Sequence, residues 1–370
     1  MSRVSIARYW GRKPVGVVEN LIVDVDEVVV DPFGGSGVII GVALERGRRG
    51  VYIDLNPYAW LIAHVQFAGA PVDEFRSASE LVLRKWLDFG VGEVELPDDW
   101  LYYRSGRPFY KRRNFNRVSE FFPSDNLRKL RALLEAIDYV RASPDTKLAL
   151  YLAFANALFP SSYMKRRGAG SWGVPSYWAP RLSEPQDAYV AFRNAVQRVS
   201  NYLRRVRRRS VCYSLDCDGE VYMLMGNALE YDYDAGWTLI TDPPFVDEIQ
   251  YMELSYFYWV WLRVSDFPKI VGELLGRRVD FDFGAELIIN PNRGVGFEDY
   301  LARLGLFLEK TSVMRRRVLI FHEESGNRLD AIRRHLHEYW GPYREWRVVI
   351  PTRRVGPMGG VEYYIFEAPP

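Results

Sequence analysis

Two short turns hold the residue types and spacing that chemistry requires. Asp31-Pro32-Phe33-Gly34-Gly35-Ser36-Gly37 follows the apolar run that begins at Glu27. Glycines let a backbone approach a ligand closely, and the helix expected after them offers unpaired N–H groups. The spacing G-G-x-G departs from the dinucleotide fingerprint G-x-G-x-x-G, so the preceding acid carries much of the signal. Asp54 closes a second apolar run, 23 residues after Asp31. It is placed to accept hydrogen bonds from ribose hydroxyls, although an acid there also suits a helix N-cap. The second turn is Thr241-Asp242-Pro243-Pro244-Phe245. Two prolines fix φ and remove two backbone donors, leaving a stiff turn with free carbonyls. The Asp242 carboxylate and a proline carbonyl can accept from an exocyclic amine while Phe245 stacks on the ring that bears it. Alone, such a tetrapeptide is often only a turn; paired with the Gly-rich loop it describes a site for a planar amine.

Positioning these turns requires alternating strands and helices. Glu27–Asp31 reads as a buried parallel strand, Val38–Glu45 as a helix, Val51–Asp54 as a second strand, and Asn56-Pro57 opens a helix to about Phe67. This is the βαβα pattern of a doubly wound sheet. Between about Gly69 and Ser210 the alternation stops, with helices expected at Asn126–Arg141, Thr146–Phe159 and Gln186–Arg208. The Arg- and aromatic-rich stretches Trp100–Arg117 and Met164–Trp178 read as irregular, the latter as a surface loop. Strands are expected again at Val221–Met225, Trp237–Thr241 and Val318–Phe321. Helices fall near Glu248–Leu262, Phe297–Thr311 and Arg328–Tyr339. Trp346–Pro351 and Val361–Glu367, joined through Gly356, Gly359 and Gly360, are expected to form an antiparallel hairpin at the sheet edge. The expected organisation is one α/β domain, residues 1–70 and 216–370, interrupted by a mainly helical basic insertion at 71–215.

With 370 residues, 48% hydrophobic and 15% aromatic, the chain can bury a sizeable core. No apolar stretch reaches the length of a membrane span and the N-terminus lacks a signal-peptide pattern, so a soluble, cytoplasmic protein is expected. The net charge of +2 conceals a division. Residues 101–210 carry 22 Lys and Arg against 7 Asp and Glu, a net of +15, leaving 27 basic and 40 acidic residues elsewhere, a net of −13. Such segregation suggests a polyanionic partner, with a solvated helical surface as the alternative.

Taken together, Asp31–Gly37 and Asp242–Phe245 resemble motifs I and IV of the S-adenosylmethionine-dependent amino-methyltransferases of DNA, which modify adenine N6 or cytosine N4. Arg12–Ile22 resembles the Lys-Pro helix of motif X, Tyr52–Pro57 resembles motif II, and Gly226-Asn227-Ala228 sits where a G-D-A would hold the cofactor adenine. Tyr9–Pro14 resembles the Y-W-G-R-K-P start of archaeal and bacterial DNA methylases, and Asp242–Leu262 resembles their D-P-P-Y-x-D-N-x-x-Y-x-E-L-S segment. The likeness reaches Trp172–Pro180 less firmly. Asn227 stands where an acid is expected, Phe245 where tyrosine is commoner, and the zinc-ribbon cysteines of some relatives are missing. The resemblance implies a Rossmann-like methyltransferase sheet with a central target-recognition region. It also implies cofactor contacts from Lys13, Pro14, Asp31–Gly37, Asp54, Leu55, Asn56, Asn227 and Ala228, with chemistry at Asp242, Pro243, Pro244 and Phe245. Asp-Pro-Pro favours adenine N6 over cytosine N4.

A double-stranded substrate would require base flipping. Backbone affinity would then come from the insertion, with Arg104, Arg107, Lys111, Arg112, Arg113, Lys165, Arg166 and Arg167 as candidate phosphate contacts. Tyr102, Tyr103, Phe109, Tyr110 and Trp172 are candidates to stack on bases, with core packing as their alternative. The run Arg204–Arg209 reads as a solvated helix end. Neither cysteine follows a proline, which argues against cytosine C5 chemistry; Cys212 and Cys217 are expected to pack in a hairpin, with a disulfide as the alternative. The four histidines suggest no metal site. Two other readings stay open: an RNA base amino-methyltransferase, and a nucleic-acid-binding protein that keeps the fold without turnover.

Overall fold

The two apolar runs that end in Asp31 and Asp54 form adjacent central strands of a mixed sheet. The computed structural model describes residues 6–11, 13–23, 25, 28–89, 94–110, 114–167, 177–323, 325–351 and 360–369. Strands β1 (Val28–Asp31) and β2 (Arg49–Asp54) pair in parallel with Asp31 opposite Tyr52. Outward from β2 lie β4 (Val221–Met225) and the short β3 (Val211–Cys212), both parallel. On the other side of β1 lie β5 (Thr238–Thr241) and β6 (Arg316–Phe321), again parallel. The chain closes with β7 (Arg344–Pro351) and β8 (Gly360–Ala368), and β8 enters antiparallel between β6 and β7. Among the described residues the sheet has eight strands in the order β3-β4-β2-β1-β5-β6-β8-β7. The chain therefore reverses its direction of winding between β1 and β5, and opens a crevice at their carboxyl ends, the usual ligand position in such sheets.

Strand residues alternate between two cores, as the pleat requires. Val29, Met223, Met225, Val318 and Ile320 face one, which also takes in α1 (Val15–Leu21), α2 (Val38–Glu45), α3 (Pro57–Phe67) and α8 (Tyr251–Leu262). Val30, Tyr222, Leu224, Leu319 and Phe321 face the other, built with α10 (Phe297–Thr311) and α11 (Gly326–Trp340). The architecture is a three-layer α/β arrangement compatible with a Rossmann-like fold.

The segment 71–215 supplies α4 (Val72–Lys85), α5 (Ser124–Tyr139), α6 (Pro144–Ser161) and α7 (Ala188–Leu203). Helix α6 is apolar on every side and buried along its length, so it must be surrounded by other helices. Ser143 caps its N-terminus by accepting the Thr146 N–H, and Pro144 occupies the first turn, where a missing donor costs nothing. Its side chains join the same core as α3 and α8, so the insertion is fused to the sheet layer.

Several expectations need correction. Helix α4 and helix α9 (Phe267–Leu275) were not anticipated from the sequence. The helix expected through Arg208 stops at Leu203, because the chain must extend toward β3. There Arg208 donates to the Ala68 carbonyl at 3.0 Å and Arg209 pairs with Glu220 at 2.9 Å, so these arginines fasten the crossover rather than cap a solvated helix. Cys212 and Cys217 form a disulfide instead of packing in a hairpin. β3 runs parallel to β4, and the intervening turn brings the two Cα atoms within 6.1 Å, inside bridging range. Gly356 and Gly359 lie outside the described residues. Among the described residues, no helix is long and apolar enough to cross a membrane.

Candidate functional site

Three acids converge at the crevice. Asp31 ends β1 almost fully buried, and its Oδ1 accepts from Thr241 Oγ1 at 2.7 Å and from the Phe33 N–H at 3.3 Å. Burial, reinforced by the nearby Asp242, raises its carboxyl well above the usual range. Asp54 ends β2 and uses both oxygens: Oδ2 accepts the Gly35 N–H at 2.6 Å and Oδ1 the Asn56 N–H at 2.8 Å. Burial pushes its carboxyl up to about 6, against the opposing effect of those two donors. Asn56 caps α3 through the Tyr58 N–H at 3.0 Å and donates to Ser255 Oγ of α8 at 2.6 Å. One asparagine thus fixes a site turn, a helix start and the neighbouring helix.

Asp242 lies directly after β5. Its Oδ2 is 2.5 Å from Lys13 Nζ, which also donates to the Gly11 carbonyl at 3.1 Å. Burial raises the Asp242 carboxyl while the Lys13 ammonium opposes that rise. The same ammonium lies 4.4 Å from the centroid of the Phe245 ring and 5.2 Å from that of Tyr363. Phe245 is buried beside Phe321 and His322, so Lys13 covers the ring available for stacking. The Pro244 carbonyl accepts from the Tyr300 hydroxyl at 3.2 Å.

Asp31, Asp54, Asp242 and Lys13 line one cleft. Its walls include Lys13, Asp31, Pro32, Phe33, Gly34, Gly35, Ser36, Asp54, Leu55, Asn56, Asn227, Ala228, Asp242 and Pro244. Four expected site residues do not line it. Pro14 caps α1, Gly37 makes the left-handed turn into α2 at φ +79°, and Pro243 and Phe245 are buried behind Asp242 and Pro244. Asn227 spends its Oδ1 on the Leu229 N–H at 3.1 Å, capping a short 3₁₀ turn, which leaves its amide as a donor toward the cleft. The glycines are tight: a Cβ at Gly34 would overlap the ring of Tyr52, whose hydroxyl donates to the Gly35 carbonyl at 2.8 Å.

Trp10 is shared with a second, wider groove lined by Tyr110, Tyr177, Trp178, Phe257, Tyr258 and Arg166. Among the expected phosphate contacts, Arg104, Arg107, Arg166 and Arg167 are exposed and Lys165 is half-buried. Arg107 donates to the Pro291 carbonyl at 3.0 Å on the rim of this groove. Lys111, Arg112, Arg113 and Trp172 lie outside the described residues. Of the aromatic candidates, Tyr103 donates to Glu253, while Tyr110 and the mostly buried Phe109 line the groove. Trp178, exposed and in the groove wall, was not singled out from sequence.

Sequence reasoning missed Glu286, which joins Tyr251 and Met252 of the Asp242–Leu262 stretch in the cleft wall near Tyr9 and Gly11. Glu253 was visible only as part of the Tyr-x-Glu-Leu-Ser stretch. It is buried, accepts from Asn290 Nδ2 at 2.7 Å, and is pushed up to about 7 by that burial. No group of three or more potential metal ligands occurs among the described residues. No protein-family model matches this chain, and no curated protein matches it.

Proposed function

We propose that the protein is an S-adenosylmethionine-dependent methyltransferase acting on an exocyclic amine of DNA, with adenine N6 favoured. One observation carries the reading: a single cleft at the β1/β5 switch point is lined by five segments far apart in sequence, around Lys13, Asp31, Asp54, Asn227 and Asp242. Each belongs to a stretch that resembles a motif of that family. Six parallel strands followed by a terminal antiparallel hairpin also suit a methyltransferase-type sheet.

The residues fit such a cofactor. Asp31, Asp54, Asp242 and Glu286 line the cleft with Lys13, an acidic surround suited to a ligand with cationic groups. Asp54 retains acceptor capacity for ribose hydroxyls beyond its two backbone donors. When bound, S-adenosylmethionine supplies a methyl group already activated on a sulfonium. The chain's part is to orient the amine and favour charge developing on its nitrogen. The Asp242 carboxylate serves that purpose, and no covalent nucleophile is required. The aromatic groove beside Trp10 offers faces for bases displaced from a duplex.

The test is incubation with radiolabelled S-adenosylmethionine and duplex DNA, single-stranded DNA or RNA, followed by digestion and identification of the labelled nucleoside. Label on N6-methyladenine from DNA is expected. Label confined to RNA would sink the DNA reading, and cofactor binding without any transfer would leave a non-catalytic nucleic-acid binder. Asp242→Ala should lower turnover on the order of a hundredfold or more while sparing cofactor affinity.

A further inference from the structure

Residues 286–292 lie between α9 and α10, outside the stretches that resemble family motifs. Hydrogen bonds tie this strap to two partners far apart in sequence. On one side is the chain that follows Asp242-Pro243-Pro244-Phe245. The Ile289 N–H donates to the Val246 carbonyl at 2.6 Å, Gln250 Nε2 donates to the Ile289 carbonyl at 2.9 Å, and Glu286 Oε1 accepts the Met252 N–H at 3.0 Å. On the other side is the turn of the cationic segment that carries Arg104 and Arg107. That turn is closed by the Tyr103 N–H, which donates to the Arg107 carbonyl at 2.9 Å, and by a backbone bridge between Tyr102 and Pro108. Arg107 Nη1 donates to the Pro291 carbonyl at 3.0 Å, and Asn292 Nδ2 to the Phe109 carbonyl at 2.7 Å.

The two sides meet at Asn290. Its amide donates to Glu253 Oε1 at 2.7 Å and to the Tyr103 hydroxyl at 2.8 Å, and that hydroxyl in turn donates to Glu253. Asn290 and Glu253 are buried, and Tyr103 is half-buried. The Asn290 Oδ1 accepts the Asn292 N–H at 3.1 Å, and its backbone pairs with Val295 in both directions, so the amide is held in one orientation. A buried triad of this kind fixes the relative placement of the elements that contribute to it. The turn it steadies is strained. Val246, buried and β-branched, has φ +37°, a left-handed conformation that valine rarely adopts and that persists only where its surroundings enforce it. The Ile289 N–H on the Val246 carbonyl is part of that enforcement.

We infer that Tyr103, Asn290 and Asn292 are positioning residues that couple the arginine turn to the amine-binding turn, so that a polyanion held at the first aligns Asp242 at the second. This rests on the methyltransferase reading and deepens it with three residues that the resemblance does not assign. Binding energy from a remote part of a substrate raises turnover only when it is realised at the reacting centre. The strap supplies a direct hydrogen-bonded route for that: Arg104 turn, Tyr103 and Phe109, Asn290 and Asn292, Ile289, Val246.

The test is single-turnover methyl transfer at saturating duplex DNA, with duplex and S-adenosylhomocysteine affinities measured alongside, on the full chain and two variants. Tyr103→Phe removes the hydroxyl shared by Asn290 and Glu253, and Asn292→Ala removes the tie to Phe109. Each should slow transfer by about five- to fiftyfold while both affinities stay within about twofold. Should Tyr103→Phe fail to fold by thermal unfolding, Asn292→Ala carries the same test. Arg104→Ala should slow transfer in the otherwise intact protein and slow it little further once Tyr103→Phe or Asn292→Ala has cut the route. An unchanged rate in the variants, a rate loss matched by lost duplex affinity, or fully multiplicative losses with Arg104→Ala would overturn the coupling while the enzyme reading stands. If the wild-type protein transfers no methyl group to any nucleic acid, the enzyme reading falls and this assignment with it.

Discussion

At the scale of single residues, Lys13 makes the sharpest demand. Its ammonium does two things: it pairs with Asp242 at 2.5 Å and lies over the Phe245 ring at 4.4 Å. A base that donates its amine to Asp242 and stacks on Phe245 must displace Lys13 from both. Under the proposed function Lys13 is a positioning residue that favours the ionised Asp242, because burial raises that carboxyl and the ammonium opposes the rise. The sign follows directly. An ionised Asp242 is the competent acceptor, so removing the cation shifts its titration upward. Lys13→Met should move the acidic limb of the turnover–pH profile to higher pH by about one to three units, and Lys13→Arg should restore much of it. An unmoved limb with lowered turnover would reduce Lys13 to a packing role.

At the scale of elements, the glycine loop works because the strand beside it leaves no room. Tyr52 of β2 is fully buried, its ring packs where a Gly34 side chain would go, and its hydroxyl holds the Gly35 carbonyl. Gly34→Ala should therefore destabilise the fold by about 1–3 kcal/mol and weaken cofactor binding together, as followed by thermal unfolding and titration. Adding Tyr52→Leu should recover stability without restoring binding, since the loop would lose its hydroxyl anchor. This coupling was half legible in the sequence. Val38–Glu45, Val221–Met225 and Phe297–Thr311 match the expected elements because strong apolar runs end in turn residues there. Helix α4 escaped notice because its buried face is only Phe75, Ala78, Ser79 and Val82 within a charged stretch. The overrun of α7 has another cause: Arg204–Arg209 is a fair helix former, and only tertiary partners such as Ala68 and Glu220 stop it. Glu286 carried no local signal at all. It lies in a loop, and its meaning appears only when α8 presents the Met252 N–H beside the cleft.

At the scale of the molecule, the division of charge acquires a geometry. The cationic segment fuses with the sheet layer through α6, and some of its basic groups are taken up by neighbouring acids. Arg117 pairs with Asp99, and Arg207 and Arg209 with Glu220, acids that lie outside residues 101–210. The net of +15 thus overstates what is presented to a polyanion. Exposed arginines occur along the whole segment, Arg128, Arg181, Arg193, Arg198, Arg204 and Arg205 included, and two of its loops carry Arg104 with Arg107 and Arg166 with Arg167. Arg107 and Arg166 reach the aromatic groove that shares Trp10 with the acidic cleft. Under the proposed function, the acidic cleft would repel a phosphate backbone, so those loops would hold the polyanion while only an uncharged base entered. Under this division, phosphate contacts set affinity and the cleft sets chemistry. Replacing Arg104 and Arg167 together by alanine should weaken duplex binding and lower the slope of log affinity against log salt by about 1.8, two lost phosphate contacts at ~0.9 each. Fluorescence anisotropy across a salt series measures that slope, while cofactor affinity, read separately, should not change. A slope identical to that of the wild-type protein would remove these two arginines from the interface and shift the burden to the rest of the insertion.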